Sequence, residues 1–363
     1  MSNTIHFGVA CGGTGGHIFP GLATAQELAE RGHKVSLWLA GKDVELDAIQ
    51  DWKGDVVTIP AEGFQFGVSL RSVKTVFKLR QAYRTSVALM REKAPDVMLA
   101  MGSYASYGPV RAAARLGIPY VLHEANLVPG RAVSLLARQA HTVAVSFSKT
   151  GYYLRHNQVV TTGLPLRKEL QLAGGKPRPE HDNDTLRILV VGGSRGAQAL
   201  NETVPHAIAM AVEAGAKLSV EHIVGMQDPA PVEALYQQKG VRARVHKFVQ
   251  HMEDLYLTAD LAVCRSGAAT CAELALFGVP ALLVPYPYAV RNHQMSNARV
   301  LQDAAAADVV AQEDLSATWL RDYLINVIEK PARLRKMAEA MKKSAQNNAA
   351  GQLADLLERV AGA

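Results

Sequence analysis

A unit made of a strand, a glycine loop and a helix occurs twice in this chain, and this repeat constrains the fold more than any other feature. The first copy is TIHFGVACGGTGGH at residues 4–17, and the second is LRILVVGGSRGAQALN at residues 186–201. A buried strand that enters a helix through glycines is typical of parallel α/β sheets, which bind ligands at the ends of their strands. The repeat therefore predicts two Rossmann-like domains in tandem.

The length of the chain fits two domains of similar size, because 363 residues exceed twice a usual domain length of roughly 150. Apolar periodicity stops at residues 163–166 and again in the polar, glycine- and proline-rich stretch 173–185, which predicts a linker. We predict an N-terminal domain over residues 1–163 and a C-terminal domain over residues 164–344. The helical pattern over residues 345–363 lies too far from the last predicted strand to be a crossover, and we expect this helix to return to the N-terminal domain.

Composition and cysteine usage exclude several classes of protein. Hydrophobic residues make up 48% of the chain and charged residues 20%, as in a folded protein and unlike a disordered segment or a coiled coil. The three cysteines, Cys11, Cys264 and Cys271, have neither zinc-site spacing nor the even number of a disulfide framework. Residues 1–13 have neither a basic region nor a long apolar region, which predicts no secretion signal. Prolines interrupt the most apolar later stretch, residues 274–290. We expect a folded protein of a reducing compartment that does not cross a membrane.

The excess of positive charge lies in the N-terminal half. Residues 1–163 contain 17 Lys and Arg against 11 Asp and Glu, whereas residues 164–363 contain 22 of each kind. Residues 64–91 contain six Lys and Arg, no acidic residue and several large apolar side chains, a combination that suits an anionic membrane surface. For the helical part of this segment, an ordinary helix with a buried stripe and a solvated basic face explains the pattern equally well. Residues 64–70, which we expect in a loop, are less easily explained by packing.

The first glycine loop favours a site for negative charge. Glycines at positions 12, 13, 15 and 16 let backbone amides approach a ligand, and the following helix offers N–H groups and the positive end of its dipole. The loop does not fit the dinucleotide-binding G-x-G-x-x-G motif, because Ile18 occupies the last glycine position. A tight turn explains the glycines equally well, but His17 at an exposed loop end is better explained by function than by packing.

The second glycine loop adds a hydroxyl and a cation, Ser194 and Arg195, and both can bind phosphate oxygens. Another helix start follows the predicted strand at residues 261–264, where we expect Ser266 to be the N-cap. Glu273 lies about two turns into that helix, and its carboxylate can accept hydrogen bonds from the two vicinal hydroxyls of a ribose. A glutamate at this position is equally an ordinary helix-forming residue. In combination, the two helix starts and Glu273 predict a nucleoside diphosphate site.

Polar residues also follow the predicted strand at residues 120–122, where parallel sheets bind their ligands. His123 and Glu124 could transfer protons or could only position the loop, and both explanations remain open. Asn126, an uncharged donor and acceptor, is the stronger candidate for ligand binding. Residues 182–184 spell Asp-Asn-Asp, a D-x-D pattern that holds a metal in many glycosyltransferases. Because they precede a strand and lie in a solvated linker, we predict no metal site there.

Four motifs in this order resemble one family: GGTGGHIFPGLA, HEAN, GGSRGAQALN and RSGAATCAELALFGVPALLVPYP. They are similar to those of the MurG family of UDP-N-acetylglucosamine:N-acetylmuramyl-(pentapeptide) pyrophosphoryl-undecaprenol N-acetylglucosamine transferases, over nearly the whole chain. The resemblance implies an α/β fold of two tandem Rossmann-like domains facing a cleft, the GT-B glycosyltransferase fold. It implies an inverting, metal-independent enzyme without a cofactor. This enzyme would move N-acetylglucosamine from UDP-N-acetylglucosamine (UDP-GlcNAc) to the 4-hydroxyl of MurNAc in lipid I, giving lipid II for peptidoglycan synthesis.

The resemblance also implies partners and a location. The partners are UDP-GlcNAc, lipid I (undecaprenyl-pyrophosphoryl-MurNAc-pentapeptide) and an anionic membrane surface, with no nucleic acid. The location is the cytoplasmic face of the bacterial plasma membrane, with peripheral attachment. We expect lipid I to bind the N-terminal domain and UDP-GlcNAc to bind mainly the C-terminal domain.

Site residues follow from the positions of the motifs. We take His17 as the first candidate for the general base at the acceptor hydroxyl and Glu124 as the second. The resemblance implies that Ser194 contacts the diphosphate, Glu273 the ribose and Gln294 the sugar, and that the Val249 backbone pairs with uracil. The implied substrate-binding residues are Thr14, Gly15, Gly16, Asn126, Arg167, Ser194, Val249, Ala268, Ala269, Thr270, Cys271, Ala272, Glu273 and Gln294.

Two other functions fit parts of the sequence. A UDP-GlcNAc 2-epimerase has a similar two-domain fold, but it acts on a soluble sugar and has no use for the basic, apolar segment 64–91. A non-catalytic bilobal protein that binds a sugar or nucleotide needs the glycine loops but neither His17 nor an acceptor cleft.

Overall fold

The structure is a computed structural model that describes residues 4–41, 49–60, 70–179, 184–193 and 196–362, with the side chains of helix Leu70–Lys93 described from residue 78 onward. The chain divides into two compact units. The first comprises Met1–Lys168 and Asn347–Ala363, and the second comprises Glu169–Gln346. The domain limits predicted at residues 163 and 344 lie a few residues before the observed limits at Lys168 and Gln346.

The first unit is built on a parallel sheet. Its strands are β1 His6–Ala10, β2 Lys34–Ala40, β3 Asp55–Ile59, β4 Val97–Ala100, β5 Tyr120–Glu124, β6 Thr142–Val145 and β7 Val159–Thr161. Its helices before residue 169 are α1 Gly15–Glu30, α2 Leu70–Lys93, α3 Tyr107–Leu116 and α4 Arg131–Leu136. The strand order within the described residues is β3-β2-β1-β4-β5-β6-β7. The order reverses between β1 and β4, which makes their carboxyl ends the switch point where such sheets bind ligands.

Alternating side chains of this sheet enter two different cores. Phe7 of β1 and Leu37 of β2 belong to one core, whereas Trp38 of β2 and Met98 of β4 belong to the other. Both faces are buried, which is why the strands are almost continuously apolar. Gly8 leaves the space that the Met98 and Trp38 side chains occupy, since a β-carbon there would lie 2.2 Å from Met98 Sδ.

The second unit repeats the plan. Its strands are β8 Leu186–Val191, β9 Leu218–Ile223, β10 Arg242–His246, β11 Leu261–Cys264, β12 Ala281–Leu283 and β13 Ala307–Val309. Its helices are α5 Lys168–Gly174, α6 Gln198–Glu213, α7 Ala230–Gln238, α8 Met252–Thr258, α9 Ala268–Phe277, α10 His293–Asp303, α11 Ala317–Glu329 and α12 Pro331–Lys343. The described strands are parallel in the order β10-β9-β8-β11-β12-β13, so the switch point lies between β8 and β11.

The last helix, α13 Ala349–Ala361, packs against α1 in the first unit. Leu353 and Leu357 enter the same core as Phe7. Arg31, at the end of α1, donates to Asp355 at 2.6 Å and to Glu358 at 3.0 Å. Ion pairs and apolar packing therefore both hold α13 on the first unit.

The basic, apolar segment predicted at residues 64–91 is described in part. Residues 64–69 and the side chains of residues 70–77 lie outside the described part. In the remainder of α2, Lys78, Arg80, Arg84 and Arg91 are exposed, while Ala82 is buried. The buried side of α2 meets α3 closely, because a β-carbon on Gly108 would lie 2.8 Å from Ser86 Oγ. Among the described helices, none combines the length and apolarity that a membrane span needs.

Candidate active site

The first glycine loop leaves β1 at the switch point of the first unit. Thr14, Gly15 and Gly16 are exposed, and α1 begins at Gly15 with Thr14 as its N-cap residue. Gly13 has a φ of +92°, and a β-carbon there would lie 2.7 Å from the Tyr104 ring. Only glycine adopts this left-handed conformation readily and leaves room for the Tyr104 ring beside the backbone. The N-terminus of α1 is therefore accessible to an anion.

His17 lies in the first turn of α1 and is half-buried. Its Nδ1 lies 2.9 Å from Thr14 Oγ1. In the tautomer whose Nδ1–H donates to Thr14, Nε2 carries the lone pair. This arrangement suits a base that is oriented by a neighbouring hydroxyl.

His123, the fourth residue of β5, is fully buried. Its Nε2–H donates to the carbonyl oxygen of Gly163 at 2.9 Å. Burial lowers the pKa of His123 to about 4, the Gly163 bond opposes this shift, and a charge on His17 lowers the pKa further. His123 is thus a neutral residue that ties β5 to the end of the first sheet.

Glu124 ends β5 and is only 4% exposed. Its Oε1 accepts from the Asn126 backbone N–H at 2.9 Å and from Asn126 Nδ2 at 3.3 Å, and its Oε2 accepts from the Gly130 N–H at 2.8 Å. Burial raises the pKa of Glu124, and these hydrogen bonds oppose that increase. Of the two explanations open from the sequence, the contacts favour the one in which Glu124 positions the loop. Asn126 is the side chain that this loop orients.

Arg167 follows the last strand of the first unit and is half-buried. Its guanidinium carbon lies 5.3 Å from the centre of the Phe19 ring, in a cation–π contact. Because Phe19 is on α1, this contact directs Arg167 toward the helix that carries the glycine loop.

The second glycine loop leaves β8 at the switch point of the second unit. Ser194 and Arg195 lie outside the described residues, so their predicted phosphate contacts stay predictions. Gly192 and Gly196 flank them, and a β-carbon on Gly196 would lie 2.2 Å from the Val224 carbonyl oxygen. The backbone at Gly196 therefore lies directly against Val224, the residue that follows β9.

A buried polar network supports this contact between the loop and β9. Asn201 on α6 donates to the Val224 carbonyl at 3.1 Å and to Gln227 Oε1 at 2.7 Å. His222 Nε2 lies 3.0 Å from Asn201 Oδ1, and His222 Nδ1 lies 3.0 Å from the Tyr236 hydroxyl. Burial lowers the pKa of His222 to about 3, so it acts in this network as a neutral ring.

The helix start after β11 differs from the prediction at one residue. Gly267, not Ser266, is the N-cap of α9, and the Ser266 hydroxyl donates instead to the Gln294 carbonyl at 2.8 Å. The prediction for Ser266 was wrong because a partner on α10 takes its hydroxyl. Ala268, Ala269 and Thr270 form the half-buried first turn, whose N–H groups have no partner within a helix of this kind.

Three further predicted residues lie on or near this helix. Cys271 is buried, and its N–H donates to the Gly267 carbonyl at 2.9 Å. Burial raises the pKa of its thiol to about 12, so Cys271 presents neither a thiolate nor its amide to a ligand. Ala272 and Glu273 are half-buried, and Glu273 Oε2 accepts from the Tyr256 hydroxyl at 2.7 Å.

Gln294 is held at the start of α10. Its Oε1 accepts from the Tyr286 backbone N–H at 2.9 Å. Arg265 is buried beneath this segment, where it donates to the Val284 carbonyl at 2.9 Å and to Gln312 at 2.6 Å, and its guanidinium faces the Tyr286 ring. The oxygen of the Gln294 amide is thus fixed, which directs its NH₂ group as a donor.

The remaining predicted positions are also placed by the fold. Val249 is half-buried in the loop between β10 and α8. Asp182 and Asn183 lie outside the described residues. Asp184 precedes β8, at the amino end of that sheet, where it pairs with Lys217 at 3.2 Å.

The chain is similar to known proteins over both units. Its residues 7–145 match the model of the glycosyltransferase family 28 N-terminal domain, and residues 187–353 match that of the family 28 C-terminal domain. It is 39% identical over 357 residues to the UDP-N-acetylglucosamine–N-acetylmuramyl-(pentapeptide) pyrophosphoryl-undecaprenol N-acetylglucosamine transferase of Shewanella denitrificans, covering 97% of this chain and 96% of that one. The chain belongs to the MurG family. A relative with the same name from Geobacter sulfurreducens is 35% identical over 96% of each chain.

Solved structures agree with this membership. The crystal structure of Acinetobacter baumannii MurG is 31% identical and superposes with a TM-score of 0.80, covering 98% of this chain and 99% of that one. A putative UDP-N-acetylglucosamine 2-epimerase from Listeria monocytogenes superposes with a TM-score of 0.70 over 96% of this chain and 94% of that one. At 13% identity, this similarity shows a shared fold alone. The predicted α/β class with two Rossmann-like units is confirmed, and this member of the MurG family is a glycosyltransferase.

Sequence reasoning missed two parts of the site. The loop at Gly102–Tyr104 follows β4 at the switch point, and Tyr104 packs on Gly13. A glycine two residues after the predicted strand at residues 97–100 was the available signal. Tyr256, which binds Glu273, had no local signal, because it is one apolar position in a short amphipathic helix.

Proposed function

We propose that this protein transfers N-acetylglucosamine from UDP-GlcNAc to the 4-hydroxyl of MurNAc in lipid I, giving lipid II for peptidoglycan synthesis. The observation that carries the proposal is that 39% identity to a transferase of this name extends over 97% of the chain, so it includes both units. A relationship limited to the second unit would support nucleotide binding alone.

The second unit supplies groups suited to the donor. Ala268, Ala269 and Thr270 offer first-turn N–H groups to the diphosphate. The second glycine loop, whose Ser194 is predicted to contact the same diphosphate, follows the neighbouring strand β8. Glu273 would accept from the ribose hydroxyls, and the directed NH₂ of Gln294 would donate to the sugar. The loop that contains Val249 would receive the uracil. As the sugar leaves, the helix dipole and these N–H groups stabilise the charge that develops on UDP.

The first unit supplies groups suited to the acceptor and to proton transfer. The 4-hydroxyl oxygen attacks the anomeric carbon, the bond from that carbon to the phosphate oxygen breaks, and the hydroxyl proton passes to His17 Nε2. Attack from the face opposite UDP inverts the configuration. Asn126, Arg167 and the exposed loop at Thr14–Gly16 would orient the two substrates. No step in this scheme requires a metal ion.

The protein would reach its lipid-linked acceptor by binding the anionic membrane surface through its first unit. Lys78, Arg80, Arg84 and Arg91 are exposed on α2, and such cations are attracted to anionic lipid. Attachment would be peripheral, on the cytoplasmic face of the plasma membrane.

An assay of the purified full chain tests this function. We expect UDP release from UDP-GlcNAc to depend on a lipid I analogue, to persist in EDTA, and to give a β-linked disaccharide by NMR. Activity lost in EDTA and restored by a divalent cation would contradict metal independence, and an α-linked product would contradict inversion. Formation of a 2-epimeric sugar without acceptor would favour the epimerase, and binding without any turnover would favour a non-catalytic protein.

A further inference from the structure

We infer that Tyr256 positions the Glu273 carboxylate and thereby determines how strongly the site prefers a ribonucleotide to its deoxy analogue. This inference rests on the proposed function, because it concerns the ribose of the donor. Tyr256 acts through Glu273 and is a positioning residue.

Two contacts fix Tyr256 against one face of α9. Its hydroxyl donates to Glu273 Oε2 at 2.7 Å, and its ring stacks on Phe277 with a centroid distance of 5.3 Å and an interplanar angle of 24°. Glu273 and Phe277 are four residues apart on one helix, so their side chains are neighbours. Tyr256 is only 1% exposed, which leaves its ring a single orientation and its hydroxyl a single direction toward Glu273.

A hydrogen bond from a hydroxyl to an ionised carboxylate is short and stronger than one between neutral groups. Glu273 is half-buried, and a glutamate side chain has several rotamers. If the carboxylate becomes ordered only when a ligand binds, the lost side-chain entropy weakens the affinity for that ligand. A carboxylate that is already ordered avoids this cost. The Tyr256 bond therefore prepares the carboxylate before the nucleotide binds.

The number of acceptor positions allows both roles at once. A carboxylate accepts about four hydrogen bonds, so the Tyr256 hydroxyl and two hydroxyls of a vicinal diol can bind it together. A nucleotide without these hydroxyls gains nothing from the ordered carboxylate. The effect of Tyr256 must therefore appear with UDP and be absent with 2′,3′-dideoxy-UDP.

The second unit contains a matched control. Tyr323 on α11 donates to Asp308 Oδ2 at 2.8 Å and stacks on Trp319 at 5.5 Å. It thus has the same hydroxyl-to-carboxylate bond and the same ring stacking as Tyr256. Asp308 lies on β13, two strands from β11 and outside the residues assigned to the donor. Tyr323→Phe therefore removes equivalent chemistry without touching Glu273.

The test is calorimetry with UDP and with 2′,3′-dideoxy-UDP on the full-length parent, Tyr256→Phe and Tyr323→Phe. We expect Tyr256→Phe to lower the affinity for UDP about five- to tenfold, because the variant loses the prior ordering of one side chain. The affinity for 2′,3′-dideoxy-UDP should stay within about twofold of that of the parent. Tyr323→Phe should leave both affinities unchanged. In a Glu273→Ala background, Tyr256→Phe should have no further effect on UDP.

Equal losses for both nucleotides would show that Tyr256 only supports the fold and would overturn the inference. Unchanged UDP affinity in Tyr256→Phe would overturn it as well, while leaving the proposed function intact. Failure of the proposed function has a separate signature, because the parent would then release no UDP in the lipid I assay, whatever its affinity for UDP.

Discussion

The Glu124 carboxylate accepts the Gly130 backbone N–H at 2.8 Å, closing the loop between β5 and α4. The other oxygen of the same carboxylate holds Asn126 through its backbone and its side chain. One buried acidic residue therefore sets the shape of a segment that carries an important substrate-binding candidate. Because both carboxylate oxygens of Glu124 accept hydrogen bonds from its own loop, the contacts indicate a positioning residue and not a general base.

Glu124→Gln should open this loop. The amide has one acceptor oxygen, and its NH₂ group would face an N–H donor, so the substitution should cost about 1–3 kcal/mol locally. We expect faster hydrogen exchange at the Gly130 and Asn126 amides, and a higher KM together with a lower kcat. Unchanged exchange with a loss of kcat alone, shifted in its pH profile, would instead identify Glu124 as the base.

His17→Gln should lower turnover much more than donor affinity. General-base assistance contributes about 10²- to 10⁴-fold in rate, whereas UDP is expected to bind mainly to the second unit. Steady-state kinetics and UDP calorimetry on the same preparation measure the two effects. Thr14→Val, which removes the hydroxyl 2.9 Å from His17 Nδ1, should give a smaller loss of kcat. Parental turnover in His17→Gln would remove this residue from the chemistry.

Charge reversal on α2 should reduce binding to anionic vesicles. Each cation near such a surface contributes about 1 kcal/mol at low salt, so Lys78/Arg80/Arg84→Glu should weaken binding at least about 100-fold. Co-sedimentation with vesicles that contain or lack anionic lipid, at low and high salt, measures this change.

The matched control for α2 is the same triple reversal on α12 of the second unit. Its exposed cations Arg335, Lys336 and Lys343 carry equal charge on a helix that is not assigned to the membrane. We expect this variant to bind vesicles as the parent does. Equal losses in both triple variants would mean that net charge, and not the α2 surface, governs binding.

Acidification should destabilise the second unit through His222. Its pKa falls from 6.5 to about 3 on folding, because burial disfavours the charged ring. Between these values the unfolded chain binds a proton that the native state does not. The free energy of unfolding should therefore decrease as pH falls, by about 1.4 kcal/mol per pH unit for this residue.

The variant His222→Gln should have a shallower dependence of unfolding on pH between 6.5 and 4. Urea unfolding followed by hydrogen exchange of β9 amides reports on this unit. His206→Gln is the control, since His206 is exposed on α6 and should leave the slope unchanged. The same slope in His222→Gln and in the parent would show that other groups dominate the acid response.

The fold class and the positions of both glycine loops could be predicted from the amino-acid sequence alone. Apolar strands, glycines and helix starts are local patterns, and they repeat wherever a parallel sheet turns into a helix. The sequence also identified the ends of β1, β5, β8 and β11 as the places for chemistry, because strand ends carry the loops in any such sheet. The family motifs then implied individual residues, among them Glu273 and Gln294, whereas His17 was chosen from its place at the end of the first glycine loop.

The contacts of several of these residues could not be predicted, because they depend on how the chain packs. The Ser266 hydroxyl donates to the carbonyl oxygen of Gln294, 28 residues later in the chain, and does not cap α9. Glu273 accepts a hydrogen bond from the hydroxyl of Tyr256, 17 residues earlier. Glu124 is buried and accepts hydrogen bonds from backbone amides of its own loop, although the sequence was equally compatible with a role in proton transfer. Hydrogen-bond partners and burial depend on neighbours in space, which are often distant along the chain. Local composition fixes which groups can donate or accept, and packing selects which of them meet.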